Sequence, residues 1–287
     1  MEFIGEHYEG IHKPFPITLA NIKEFAALLQ DENCNIFNRI KVVRRIGSES
    51  FYATVWEVDF ILNKRPIKMA IKIQKDVVKT LNEIEINNFL KTWPKYFLQM
   101  YGSIYCEKIQ LKDDSFDSYF MFMELAIADL AQLLTLRDVS ETDLIHLIDQ
   151  VMDSIYVLGK SQLFHGDLHV KNVFIVPRDN DIRAVIGDFG ETVGIDSITA
   201  HTSDIYRFTT SLLEFLSKFD KYYLVKAKLK EITKSVNKLT IRVENDYDKW
   251  NEIHRDEEGD VNYEEVDAYF DSVVGNTIRI VKGILLN

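Results

Sequence analysis

The sequence predicts an α+β fold in two lobes, a strand-rich first part and a mainly helical second part. Three observations carry that expectation. Between residues 40 and 125, short runs rich in β-branched and aromatic residues alternate with turn residues, as strands do. Beyond residue 126, apolar residues recur at helical spacing over long stretches. No long Gly/Ser linker separates the two parts, so they are expected to pack as one unit.

Residues 1–17 carry two prolines, two glycines and two histidines and read as an irregular lead-in. Thr18 can cap a helix over residues 19–30, where Ile22, Phe25, Ala26 and Leu29 follow helical spacing. Val42, Val43 and Ile46 then precede Gly47, and Ala53-Thr54-Val55-Trp56-Glu57-Val58 follows it, which reads as a hairpin around a turn containing Gly47. Met69-Ala70-Ile71-Lys72-Ile73 is a short apolar strand interrupted by one lysine. Residues 76–91 are helical in period through Val77, Leu81, Ile84 and Leu90. Two more strands are expected around residues 101–106 and 119–125. Next, Leu144, Ile148, Val151, Ile155 and Leu158 mark an apolar stripe that leads into residues 165–172. Another helical run covers residues 205–216, and from Tyr222 onward the chain reads as helices with one acidic loop. There is no internal repeat and no low-complexity tract.

At 287 residues the chain is long enough to bury a sizeable core, as one large domain or two lobes. Its apolar fraction of 46% is ordinary for a globular protein. Two cysteines, Cys34 and Cys106, are too few for a disulfide framework and suggest a reducing, cytoplasmic setting. No apolar run approaches a membrane span, and the N-terminus lacks a secretory signal pattern. A net charge of -11 argues against nucleic acid as the main partner. The acidic runs Glu244-Asn245-Asp246 and Asp256-Glu257-Glu258-Gly259-Asp260 read as a solvated loop.

The chemistry is concentrated in two short stretches. Residues 165–172 read His-Gly-Asp-Leu-His-Val-Lys-Asn, and Asp188-Phe189-Gly190 begins sixteen positions after Asn172. A carboxylate placed five residues before a carboxamide, with a second carboxylate on the next loop, supplies the parts that phosphoryl transfer needs. One carboxylate orients the attacking hydroxyl, and the others are hard oxygen ligands for Mg²⁺.

H-x-D-x-x-x-x-N followed by D-F-G resembles the protein-kinase superfamily, over roughly residues 40–220. That resemblance implies a bilobal kinase-like fold. Residues 1–38 would form an N-terminal extension with a helix, residues 39–126 the first lobe and residues 127–287 the second. It implies ATP and Mg²⁺ as cofactors, Asp167 as the catalytic carboxylate, and Asn172 and Asp188 as metal ligands. Lys72 resembles the strand lysine that pairs the α- and β-phosphates. A lysine inside a buried strand otherwise lacks a reason, since an unpaired buried ammonium is costly. Its partner would be Glu83 or Glu85, and the family's helix pattern points to Glu83. Gly47 fits the first glycine of the nucleotide-covering loop, Ala53 the third if the loop is one residue longer than the family's, and Val55 the valine after it. A second glycine is missing, with Glu49 or Ser50 in its place. Residues 120–126 resemble the strand and hinge that hold adenine, with backbone groups of Glu124 and Ala126 meeting the base and Met123 behind it; Ala70 is a further nucleotide-binding residue that the resemblance implies.

The chain also departs from the family. Gly166 stands where regulated protein kinases carry arginine, so the receptor for an activation-loop phosphate is missing. Only sixteen steps separate Asp188 from Asp204, and no Ala-Pro-Glu follows Gly190, which leaves little room for a regulated loop or peptide platform. His169 replaces the usual lysine two residues after Asp167, a wording similar to aminoglycoside and choline kinases; it either hydrogen-bonds the transferred phosphate or supports the loop. Lys171 either supplies charge near the γ-phosphate or points to solvent. The expectation is a compact, atypical serine/threonine protein kinase independent of activation-loop phosphorylation, acting on a protein substrate. A small-molecule kinase and a pseudokinase scaffold are the alternatives. The compactness resembles kinases of bacterial pathogens and large DNA viruses, which implies a cytoplasmic setting and a host-protein partner.

Overall fold

The computed structural model describes residues 19–46, 53–178, 181–194, 199–245 and 275–286. The architecture is α+β of kinase-like type. Two compact units are distinguished: residues 1–127 with 176–182 and 188–190, and residues 128–175 with 183–187 and 191–287. No helix of the described residues is long and apolar enough to cross a membrane.

The first unit is built on a five-stranded antiparallel sheet. Its strands are β1 (Ile40–Ile46), β2 (Ala53–Leu62), β3 (Arg65–Gln74), β4 (Met100–Leu111) and β5 (Asp114–Glu124), in the order β1-β2-β3-β5-β4. Strand β2 turns into β3 through Asn63 and Lys64, with φ of 49° and 63°, the doubly left-handed turn that matches strand twist. Asn favours that turn and Lys does not, which is why it is inconspicuous in the sequence. Alternation decides what each face carries. Trp56, Val58, Met69, Ile71, Ile73, Phe120 and Phe122 join Phe25, Leu29, Ile36 and Cys106 in one apolar core. Helix α1 (Leu19–Glu32) and the 3₁₀ turn Asn33–Arg39 supply the covering residues. Residues 19–30 therefore back the sheet.

Two expectations are corrected in this unit. Cys34 and Cys106 form a disulfide with Cα atoms 5.8 Å apart, which ties the 3₁₀ turn to β4. The pairing spans 72 residues, so only the fold brings the two sulfurs together, and a count of two cysteines gave no sign of it. Helix α2 (Val77–Leu90) forms where expected, capped by Asp76, whose carboxylate accepts from the Lys79 N–H at 3.1 Å. Its buried face, however, is Thr80, Glu83, Asn87 and Leu90. Val77, Val78, Leu81 and Phe89 lie exposed on the other side. Polar partners on the buried face outweigh the apolar period.

The second unit is helical, with α3 (Leu130–Leu136), α4 (Glu141–Lys160), α5 (Thr199–Leu216), α6 (Tyr223–Asn245) and α7 (Asn276–Leu286). Asp129 and Gln132 form a reciprocal capping box on α3, and Ser140 caps α4. The apolar stripe of α4 buries Leu144, Ile148, Val151, Ile155 and Leu158. Phe208 and Leu212 of α5 and Leu229 and Ile232 of α6 are fully buried as well. Small strands, unannounced by composition, bracket the motif residues. Strand β6 (Ala128–Asp129) pairs β8 (Val173–Arg178) and β8 pairs β9 (Asp181–Ile186), while β7 (Leu163–Phe164) pairs β10 (Val193–Gly194).

Candidate active site

In the first unit, strand alternation sorts the residues expected around a nucleotide. Across the ladder Ala53 faces Gln74, Val55 faces Lys72 and Ala70 faces Met123, so all of them share the sheet face opposite the apolar core. Lys72 is central to that face. Its Nζ lies 2.7 and 2.8 Å from the two carboxylate oxygens of Glu83 and 2.6 Å from Oδ1 of Asp188. Of the two carboxylates considered on α2, Glu83 reaches the lysine, whereas Glu85 is exposed.

Glu83 is completely buried, and sequence reasoning missed its second partner. Gln74, two residues after Lys72 on the same strand face, donates from Nε2 to Glu83 Oε2. Asn87 donates to the Glu83 carbonyl one turn on, at 2.8 Å. The i, i+2 spacing of Lys72 and Gln74 was the available signal. Burial alone would lower the Lys72 pKa, but the Glu83 and Asp188 carboxylates outweigh it and hold the ammonium above its usual value. Burial lifts the Glu83 carboxyl above the ordinary range, with the Lys72 charge opposing.

Asp188 sits at φ 67°, a left-handed conformation that Asp tolerates better than most residues. Phe189 behind it is fully buried, edge-on to Phe97 with centroids 5.9 Å apart. Asn82 of α2 donates to the Gly190 carbonyl at 3.4 Å. At the end of β5 the Glu124 N–H is committed to the Gln99 carbonyl at 2.8 Å. Its side chain turns to Arg178, which grips both carboxylate oxygens. Burial raises the Glu124 carboxyl, opposed by that guanidinium. A glutamate ending a buried strand signals a cationic partner, but nothing in the sequence singles out Arg178. Ala126 is half-buried, and Gly47 lies outside the described residues.

In the second unit, the loop of residues 165–172 is held by hydrogen bonds among its own residues, by α5, and by Gly187 and Thr192. His165 is fully buried, with Nε2 3.1 Å from the Gly187 carbonyl and Nδ1 accepting from the Asp167 N–H at 3.3 Å. Those partners make Nε2 the protonated nitrogen. Leu168 and Val170 are buried and anchor the loop, so Asp167 is turned outward with its side chain 51% exposed. Asn172 is buried, and its Nδ2 donates to the Asp167 carbonyl at 2.9 Å, which leaves Oδ1 as the amide atom for a ligand role. Nδ1 of His169 accepts from the Lys171 N–H at 3.2 Å, and its Nε2 stands 3.6 Å from Asp167 Oδ2, beyond hydrogen-bond length. Lys171 is exposed, and burial raises the carboxyl of Asp129, opposed by the backbone N–H groups of Gln132 and Ala131.

The structure gives Gly166 a reason. Its φ is +79°, and a Cβ built there would lie 2.5 Å from the backbone oxygen of Glu191. No side chain fits, arginine included, because the segment after Gly190 occupies the space. That segment is pinned by Val193 and Gly194 pairing with Phe164 and Leu163, and by the Thr192 hydroxyl donating to the His165 carbonyl at 3.4 Å. From α5, Asp204 accepts from the His165 N–H at 2.8 Å and Arg207 donates to the Gly166 carbonyl at 2.5 Å. Asp204 is 1% exposed, and burial pushes its carboxyl up to about 7 despite the N–H donors of His165 and Gly166.

No protein-family model matches the chain. Over 139 residues it is 27% identical to a protein of Chlamydia trachomatis serovar L2 described as serine/threonine-protein kinase Pkn1. The match covers 47% of this chain and 21% of that protein, so the chain aligns with about a fifth of the relative's length. The likeness supports a kinase-like relationship for this chain.

Proposed function

We propose that this chain is an ATP- and Mg²⁺-dependent phosphotransferase, acting as a serine/threonine protein kinase that needs no activation-loop phosphorylation. The observation that carries the reading is the buried Lys72, bonded at once to Glu83 and Asp188. A strand lysine held charged by one buried and one half-exposed carboxylate is poised for nucleotide phosphates. Glu83 would position Lys72, and Asp167 would orient the acceptor hydroxyl and take its proton. His169 and Lys171 would flank the transferred group, and Ala53, Val55, Ala70, Met123, Glu124 and Ala126, with Gly47, would enclose the nucleotide. The oxygens of Asn172 and Asp188 are hard donors and suit Mg²⁺, which commonly takes one or two protein ligands and completes its shell with water and phosphate. When bound, the ion would neutralise charge on the phosphates. Independence from phosphorylation is supported by the Gly166 and Glu191 backbones, which already fill the place of the phosphate-receiving arginine.

Single-turnover transfer from labelled ATP to a panel of proteins tests the reading. Transfer should fall at least about a thousandfold in Asp167→Ala and Asp188→Ala, in keeping with positioning and electrostatics as the main sources of catalysis. Transfer that survives both substitutions refutes it. A second reading, a small-molecule kinase, draws on the same short segment after Gly190, which returns directly to the loop of residues 165–172. Phosphorylation of a sugar, choline or aminoglycoside without protein labelling would decide for it.

A further inference from the structure

The Glu124–Arg178 pair has no part in the chemistry so far, yet it places two charges where their side chains are only 8% and 19% exposed. Nη1 of Arg178 donates to Oε1 of Glu124, and Nη2 donates to Oε2 at 2.5 Å. Nε donates to the Pro94 carbonyl at 3.2 Å. Oε2 of Glu124 also accepts from the Gln99 N–H at 3.3 Å, while the Glu124 N–H returns to the Gln99 carbonyl. One guanidinium thus fastens the end of β5 to the connection that follows α2, the helix bearing Glu83. An apolar pair would fill the same space without desolvating two ions, so the ion pair is a poor way to gain stability alone. It does fix orientation, because a planar fork on a carboxylate defines angle as well as distance.

We propose that Arg178 is a positioning residue for the nucleotide base. By clamping Glu124 it sets the backbone of residues 124–126, which would meet the base. This inference rests on the nucleotide-binding reading above. The phosphate-facing groups are anchored separately, since Lys72 is held by Glu83 and Asp188 without help from Arg178. Loss of the clamp should therefore weaken the base end of the site and spare the phosphate end. General destabilisation would weaken both ends alike.

The test uses the full 287-residue chain with Arg178→Met and Arg178→Lys, two probes and NMR titration. Adenosine reports the base without phosphate, and tripolyphosphate with Mg²⁺ reports phosphate without base. Both variants should bind adenosine at least tenfold more weakly, because lysine keeps the charge but does not span both oxygens. Tripolyphosphate affinity should stay within twofold. Adenosine affinity within twofold of the unsubstituted chain, or equal loss of both probes, overturns the proposal. Should Arg178→Met fail to fold, Arg178→Lys decides by the same criteria. An unsubstituted chain that binds neither probe refutes the nucleotide reading itself, and the role of Arg178 falls with it.

Discussion

Replacing Lys72 by methionine is the sharpest perturbation of the first unit. The ammonium holds three carboxylate oxygens within 2.6 to 2.8 Å, and Glu83 is completely buried. Lys72→Met keeps the bulk of the side chain and strands Glu83 with only Gln74 and backbone donors. Removing one partner of a buried ion pair costs about 3–5 kcal/mol, because the other charge stays desolvated. The loss is bounded by protonation of Glu83, whose carboxyl burial already raises and which loses its opposing cation in the variant. A carboxyl raised in the folded state contributes stability that is present at low pH and disappears as pH climbs through the folded value. The defect of Lys72→Met should therefore be larger at pH 8 than at pH 6, by up to about 1.4 kcal/mol per pH unit. Glu83→Gln leaves Lys72 its bond to Asp188, so we expect a smaller loss of about 1–3 kcal/mol. The double variant should be more stable than the sum of the single losses predicts, with a coupling of at least about 1 kcal/mol. Urea unfolding of all four proteins at both pH values measures these quantities. A loss under about 1 kcal/mol for Lys72→Met at both pH values, or strict additivity, would refute the account of why a lysine interrupts this strand.

Two further outcomes follow from the second unit. Gly166→Ala should destabilise by about 2–4 kcal/mol, combining a left-handed backbone with a Cβ 2.5 Å from the Glu191 oxygen; an unchanged thermal midpoint would show that the two backbones do not meet in solution. Asp204→Asn keeps an oxygen for the His165 N–H and removes the ionisation. Asp204 is raised from 3.8 to about 7, so the stability it contributes is complete below pH 3.8 and drains away as pH rises to about 7. Relative to Asp204→Asn, the unsubstituted chain should lose about 4 kcal/mol between pH 4 and pH 7 and then level off. Parallel pH series of chemical unfolding test this, and parallel curves would exclude the buried carboxyl as the source.

Legibility varied along the chain for physical reasons. Strand and helix periods located β1 to β5, α1, α2, α4 and α5, and in β2, β3, α1 and α4 the buried face is the one that the pattern encodes. The two-residue strands β6, β7 and β10 were illegible, because so few residues carry no period. Helix α2 was found but its inner face was misread. Val77 and Leu81 follow the apolar period, yet Glu83 and Asn87 point inward to polar partners that no local pattern reveals. In the candidate site, Lys72 was conspicuous as a charge in an apolar strand, and its link to Glu83 stood as one of two options. Arg178 went unnoticed because Glu124 lies 54 residues away, and Gln74 because a glutamine on a strand face carries no signal of its partner on the next helix.

By itself, the sequence determined the α+β class, the order of the main elements and the short-range spacing of Asp167, Asn172 and Asp188. Local propensity and a fixed number of residues per loop suffice for those. Only the tertiary structure decided which glutamate meets Lys72, that Cys34 finds Cys106, and that a backbone oxygen fills the space beside Gly166. Each of those facts depends on distances between different elements of the fold. Such distances are set by packing, in which one buried charge or one left-handed glycine outweighs the local pattern around it.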